Sequence, residues 1–207
     1  MSAPYFFKGS HYRSEFIYTA STLLKLGWKC HLRYRIVRQY IKPADSVVDV
    51  CSGSGCLKDF ISKECTYTAI EASPEFISIL QTKGINHISW NLHAGWPESI
   101  LAPDVIVMVI SLCQFRKTSA DLLLESFKKV ASRVVIVEDV LSRPRKEESL
   151  LQQAINYLCA TDYYVPVTWY TRSEFAELMR SHGYQCKEAS DRYMVGLYGY
   201  NLRQERI

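Results

Sequence analysis

The sequence predicts an α/β fold: a three-layer sandwich whose seven-stranded, mostly parallel sheet is covered by helices on both faces. Three observations predict it. From residue 46 onward, short apolar runs alternate with helix-patterned segments. Two of those runs, 104–112 and 133–140, have the unbroken apolar centres of strands buried on both faces. The last two, 184–190 and 193–202, have no helix between them, which predicts an antiparallel hairpin at one sheet edge.

The elements follow in order. Residues 1–10 read as a loose aromatic arm, with Tyr5, Phe6 and Phe7. Residues 13–40 are helical in pattern, in two pieces broken near Gly27, and Pro43 ends them. Residues 1–44 thus form an N-terminal helical arm or lid, and 45–207 the main body, within a single domain overall. "SVVDV" at 46–50 is the first strand, and "CLKDFISKE" at 56–64 reads as a helix. Residues 67–72 form a second strand. The helix at 73–84 has Ser73 as its cap, Pro74 at its first position and Gly84 as its stop. Residues 85–92 are expected as a third strand. Helices are predicted at 118–132, at 146–160 and at 171–184, the last with a Thr or Ser cap and a stop at His182-Gly183.

The bulk numbers exclude several classes. At 207 residues and 48% apolar content, the chain can build one full core. No apolar run is long enough to cross a bilayer, and the first 20 residues lack a secretory pattern, so a cytoplasmic protein is expected. The seven cysteines are odd in number and widely spaced, with no C-x-x-C pair. Reduced thiols are expected, with no metal site. The net charge of +4 is unevenly placed, since residues 1–44 hold eight basic side chains and one acid. Lys25, Lys29 and Arg33 share one helical face. That face reads first as solvated surface and second as a contact for an acidic substrate, nucleic acid or anionic membrane.

The chemistry lies in the turn after the first strand, "DVCSGSG" at 49–55. In such a sheet, ligands sit beyond the carboxyl ends of the strands, where strand order reverses. A nucleoside triphosphate requires a G-K-[S/T] ending, which is absent. A dinucleotide requires G-x-G-x-x-G, but Lys58 stands where the third glycine belongs. S-adenosylmethionine needs no phosphate cradle. It needs an acid for its ribose diol, and Glu71 closes the second strand 22 positions after Asp49.

These residues resemble the motifs of class I S-adenosylmethionine-dependent methyltransferases. That family's D/E-x-G-x-G-x-G is similar to Asp49-Val-Cys51-Ser-Gly53-Ser-Gly55, and its second-strand acid to Glu71. Asn91 falls where an acid usually follows the third strand. "PDVIVMVISLCQF" resembles the fourth strand with its small polar exit, and "SRVVIVEDV" the fifth. "YTRSEFAELMRSHGYQCKE" resembles the family's last helix and strand. The likeness spans residues 40–200 and implies a Rossmann-like fold. Two departures stand out: Cys51 replaces the first glycine, and Asn91 replaces the acid.

The resemblance implies S-adenosyl-L-methionine as cofactor, with S-adenosyl-L-homocysteine as product. It implies that Asp49 holds the loop near the methionine ammonium, while Cys51, Ser52, Gly53 and Gly55 form the turn. It places Glu71 on the ribose, Ala72, Asn91 and Leu92 around the adenine, and Ser111 and Leu112 beside the sulfonium. The layout is most similar to small-molecule methyltransferases of the quinone-biosynthesis type, so a small-molecule acceptor is expected. Candidates for the acceptor side are His11, Tyr12, Gln114, Asp139 and Tyr170, and no catalytic residue is singled out. His93 and His182 read as a loop residue and a helix end. Two alternatives stay open: an RNA methyltransferase using the basic N-terminal helix, and a non-catalytic scaffold. A dehydrogenase is a distant further one.

Overall fold

The structure, a computed structural model, describes residues 31–100, 102–116, 118–141 and 169–201. The aromatic arm, most of the N-terminal helical segment, the 146–160 helix, His11 and Tyr12 lie outside these residues.

The described chain forms α1 (Leu32–Arg38), β1 (Ser46–Val50), β2 (Thr66–Glu71), α2 (Pro74–Thr82), β3 (His87–Ser89) and β4 (Val105–Val109). It continues through α3 (Ala120–Val130), β5 (Arg133–Leu141), β6 (Tyr170–Thr171), α4 (Arg172–Ser181), β7 (Gln185–Glu188) and β8 (Tyr193–Tyr198). The sheet order is β3-β2-β1-β4-β5-β8-β7, and the short β6 pairs with β5. β1 to β5 run parallel, while β8 is antiparallel to both β5 and β7. The chain therefore grows outward from β1 to β3, returns to the other side of β1, and grows outward again. The order reverses between β1 and β4, which opens a crevice at their carboxyl ends.

Strand alternation divides the core between the two faces. Val48, Val50, Ile106, Met108, Val134 and Ile136 point to the side of α3 and α4, where Phe127, Phe175 and Met179 meet them. Val47, Val105, Val107, Val135 and Val137 point to the other side, packed by Tyr34, Val37, Leu57 and Leu80. Both faces of β4 and β5 are thus covered, which explains their apolar runs.

Helix ends match their sequence signals. Thr171 and Glu174 form a reciprocal capping box at the start of α4. At the end of α2, Ile85 N–H donates to the Leu80 carbonyl and Gly84 N–H to Gln81, with Gly84 at φ 62. This double bond needs a left-handed residue at position 84, and glycine supplies it.

Three elements differ from expectation. Residues 56–64 form only a short 3-10 turn, Cys56–Phe60, because Ser62 opens a new turn. Cys65 N–H donates to the Ser62 carbonyl and Glu64 N–H to its hydroxyl, which leaves no length for a helix before β2. β3 keeps only three of its predicted residues. On α1, Arg33, read as part of a solvated basic face, is buried with its guanidinium over the Tyr34 ring at 4.8 Å. No disulfide joins the five described cysteines to one another.

Candidate functional site

The cleft at the switch point is framed by the turns that leave β1, β2, β3 and β4. Cys51, Ile70, Glu71, Ala72, Trp90, Asn91, Leu92, His93, Gln114 and Phe115 line it, around an open volume of about 520 Å³ counting its mouth. Six of the sequence-predicted residues meet here: Cys51, Glu71, Ala72, Asn91, Leu92 and Gln114.

Glu71 is the electrostatic centre. Its side chain folds back over the end of β2. Gly53 N–H donates to Oε2 at 2.8 Å, and the N–H groups of Ala72 and Ser73 donate to Oε1 at 2.9 Å each. The carboxylate thereby ties the glycine turn to β2. Burial raises its pKa, and the three backbone donors oppose that shift. An ionised carboxylate oxygen offers about two lone-pair sites, so Oε2, with one donor among the described residues, retains acceptor capacity toward a ligand hydroxyl.

The turn itself is built from left-handed backbone. Cys51 lies at φ 55, Gly53 at φ 56 and Gly55 at φ 72. The two glycines serve different ends. A Cβ at Gly55 would stand 2.8 Å from both Leu80 Cδ2 and Ile85 Cδ1, so this glycine lets α2 close over the turn. A Cβ at Gly53 would meet nothing within 4 Å, so the backbone there faces open space. Ser52 Oγ is buried without a hydrogen-bond partner among the described residues.

Asp49 sits beneath this turn on the α1 side. Its Oδ2 accepts from Tyr67 Oη at 2.5 Å. Burial pushes its pKa up to about 7, with the Tyr67 hydrogen bond opposing and nearby Glu71 adding to the shift.

Asn91 caps the 3-10 turn Leu92–Ala94 by accepting His93 N–H on Oδ1 at 3.0 Å. Its amide NH2 remains to donate into the cleft. Leu92 is buried against the core. The sequence reading missed Ile70, Trp90, His93 and Phe115 as lining residues. His93 stacks on Phe115 with centroids 4.6 Å apart, and partial burial lowers its pKa. The available signal was position: His93 follows Asn91 by two, and Phe115 follows Gln114.

Ser111 and Leu112 are buried and do not line the cleft, and Ser111 Oγ donates to the Val109 carbonyl. β4 ends through Ile110 at φ 52, a left-handed β-branched residue. The chain reaches the cleft two to three positions later, at Gln114 and Phe115.

Asp139 and Tyr170 also stand apart from the cleft lining. Asp139 is gripped by Arg192, whose Nε lies 2.9 Å from each of its carboxylate oxygens. Tyr170 lies under the Arg116 guanidinium at 4.7 Å, with its hydroxyl buried and unpartnered among the described residues. Neighbouring Glu138 is fully buried. Burial, reinforced by Asp139, pushes its pKa up to about 8, while the Cys113 and Asp139 N–H groups oppose the shift. Among the described residues, no group of His, Cys, Asp and Glu could hold a metal ion. No described helix is long and apolar enough to cross a membrane.

The same architecture recurs in known structures. The DhpI–SAH complex superposes with a TM-score of 0.66 at 14% identity, over 87% of this chain and 88% of that one. The plantazolicin methyltransferase BpumL in complex with SAH gives 0.63 at 17% identity, over 91% and 92%. Human N-acetylserotonin methyltransferase in complex with SAM gives 0.61 at 17% identity, over 91% of this chain and 58% of that one. At such identities the likeness establishes the fold. A search of curated proteins found no match. A family model described as a methyltransferase domain matches residues 28–189, most of the chain. With that match and the methyltransferase architecture around the cleft, the chain belongs to the methyltransferase-domain family.

Proposed function

We propose that the protein transfers a methyl group from S-adenosyl-L-methionine to a small-molecule acceptor, leaving S-adenosyl-L-homocysteine. One observation carries the reading: the cleft at the switch point gathers Glu71, Ala72, Asn91 and Leu92 around one open volume. The donor set fits an adenosine cofactor. Glu71 keeps acceptor capacity for a ribose hydroxyl, the Asn91 amide is free to donate to a ring nitrogen, and Leu92 supplies an apolar wall. The turn fits the amino-acid end, because Gly53 faces open space and Ser52 Oγ lacks a partner among the described residues.

When bound, the cofactor supplies a methyl group on a positively charged sulfonium. The protein's own share is to bind and orient, since alignment of the reacting atoms supplies much of such a rate. Glu71 fixes the turn through Gly53 N–H, and Asp49 supports it from below through Tyr67. Gln114 and Phe115 form the wall on the β4 side. Phe115 and His93 make that end of the cleft aromatic, and Trp90, which follows β3, adds a ring to the lining.

A flat, apolar acceptor of quinone-like type is the substrate class to test first. Two similar structures are named for small-molecule acceptors, the N-acetylserotonin methyltransferase and the plantazolicin methyltransferase, which supports the small-molecule class without singling out a quinone. The small RNA methyltransferase HEN1 is also similar in fold, at 13% identity and covering 24% of that chain. Against an RNA acceptor stands Arg33, which is buried against Tyr34 instead of extending a basic stripe into solvent.

Calorimetric titration with S-adenosylhomocysteine, with NAD as the control, tests the cofactor. Micromolar binding of the first and none of the second is expected. Absence of both would return the protein to a non-catalytic scaffold.

A further inference from the structure

We propose that Cys51 is a specificity-determining residue of the cleft floor: its side chain limits how closely an adenosine cofactor settles against Glu71, and so sets its affinity. The inference rests on the cofactor reading above.

Three observations carry it. Cys51 lies at φ 55, a backbone conformation that favours glycine, yet it bears a side chain. Left-handed non-glycine residues persist where the surroundings over-determine them, and they cluster at ligand sites. Cys51 lines the cleft beside Ile70 and Glu71, so its atoms occupy space that a ligand against Glu71 would share. The next residue, Ser52, holds a hydroxyl with no hydrogen-bond partner among the described residues.

The comparison within the turn sharpens the point. Gly55 is closed off by Leu80 and Ile85, so its lack of a side chain serves packing. Gly53 opens onto free space, so its lack of a side chain serves access. Cys51 shares their backbone hand but fills its space. The thiol does not act as a nucleophile here. Burial raises its pKa well above the ordinary range, and the carboxylates of Glu71 and Asp49 raise it further. Its effect is therefore steric.

The test is calorimetric titration of the full-length wild type, Cys51→Gly, Cys51→Ala and Cys51→Ser with two probes. One is S-adenosylhomocysteine. The other is 5′-methylthioadenosine, which keeps the adenosine and lacks the amino-acid tail. Cys51→Gly is expected to bind both probes at least fivefold more tightly than wild type. Cys51→Ala should gain part of this, and Cys51→Ser, of nearly equal size, should stay within about twofold. Thermal melts on each variant establish that it is folded, and Cys51→Ala serves if Cys51→Gly is not.

Wild-type binding with no gain in Cys51→Gly or Cys51→Ala would overturn the inference and leave the cofactor reading standing. A gain for S-adenosylhomocysteine alone would overturn it too, by placing Cys51 against the tail. Binding by Cys51→Gly but not by wild type would support it in its strongest form. No binding by any variant would sink both the inference and the cofactor reading.

Discussion

At the carboxyl end of β2, Glu71 is held by three backbone N–H groups beside an open cleft, and Asp49 nearby by the hydroxyl of Tyr67. At the other flank, Asp139 on β5 is gripped by Arg192, Glu174 by Arg116, and Glu188 by Arg172. Neither Asp49 nor Glu71 forms an ion pair with a described residue. The difference separates two jobs. Cationic partners fix an acid for good and knit β5, β8 and α4 together. Neutral donors hold an acid in place while leaving its charge to a ligand. The β1–β2 flank is arranged to bind, and the β5–β8–β7 flank to brace.

The largest expected effect breaks the bracing flank. Gly199 follows β8 at φ 77, and a Cβ there would come 2.0 Å from the Ser132 carbonyl oxygen. Backbone cannot yield as a side-chain tip can. Gly199→Ala should cost about 3 kcal/mol or more in urea denaturation, from overpacking plus left-handed strain. A loss below about 1 kcal/mol would show that the start of β5 moves freely.

Next comes the binding flank. Glu71→Ala should weaken S-adenosylhomocysteine binding by about 1–3 kcal/mol, the range for losing a charge-assisted hydrogen bond. An unchanged dissociation constant would mean that the ribose lies elsewhere.

Glu138 sharpens the comparison, because it is a buried acid with neutral donors but no cleft. Its folded pKa of about 8 exceeds its ordinary 4.5. The folded state therefore binds the extra proton between these values, and stability falls as pH rises from about 5 to 8. The slope reaches at most about 1.4 kcal/mol per pH unit. Glu138→Gln should flatten denaturation midpoints over that window, and an unaltered slope would place the titration on another group.

The smallest effect belongs to His182, which joins α4 to α3. Its imidazole hydrogen-bonds Glu125 and Asp121 at 2.8 Å each. Partial burial pulls its pKa down, but these carboxylates outweigh that and hold it above 6.5. Its contribution is full below the unfolded value and fades as pH rises through the folded one. His182→Ala should lose a little stability at pH 5.5 and almost none at pH 9. Equal losses at both would make the contact one of packing alone.

Much of this was legible along the chain. The strand β1 matches its prediction residue for residue, because "SVVDV" is bounded by Pro43 on one side and the glycine turn on the other. The α2 ends follow from Pro74 and Gly84, with Ser73 at the cap position but its hydroxyl donating to Glu75, and the α4 cap from Thr171 and Glu174. Of the eleven residues expected at the cofactor, five line the cleft: Cys51, Glu71, Ala72, Asn91 and Leu92. They share one feature. Each lies at or just beyond a strand end, where the topology alone assigns a position. Ser111, Leu112 and Asp139 stand apart from the cleft lining. Ile110 turns left-handed and carries the β4 exit inward, and Asp139 meets Arg192, 53 residues later.

By itself the sequence determined the alternation of strands and helices, the turn after β1, and the acid at the end of β2. These are local matters of periodicity, capping and backbone freedom. Only the tertiary structure decided that β8 inserts between β5 and β7, that Gly55 serves packing while Gly53 serves access, and which acids meet a cation. Those outcomes depend on what lies across the sheet from each residue. Contacts between distant segments leave no mark in local pattern, because any of several partners would satisfy the same hydrophobic spacing.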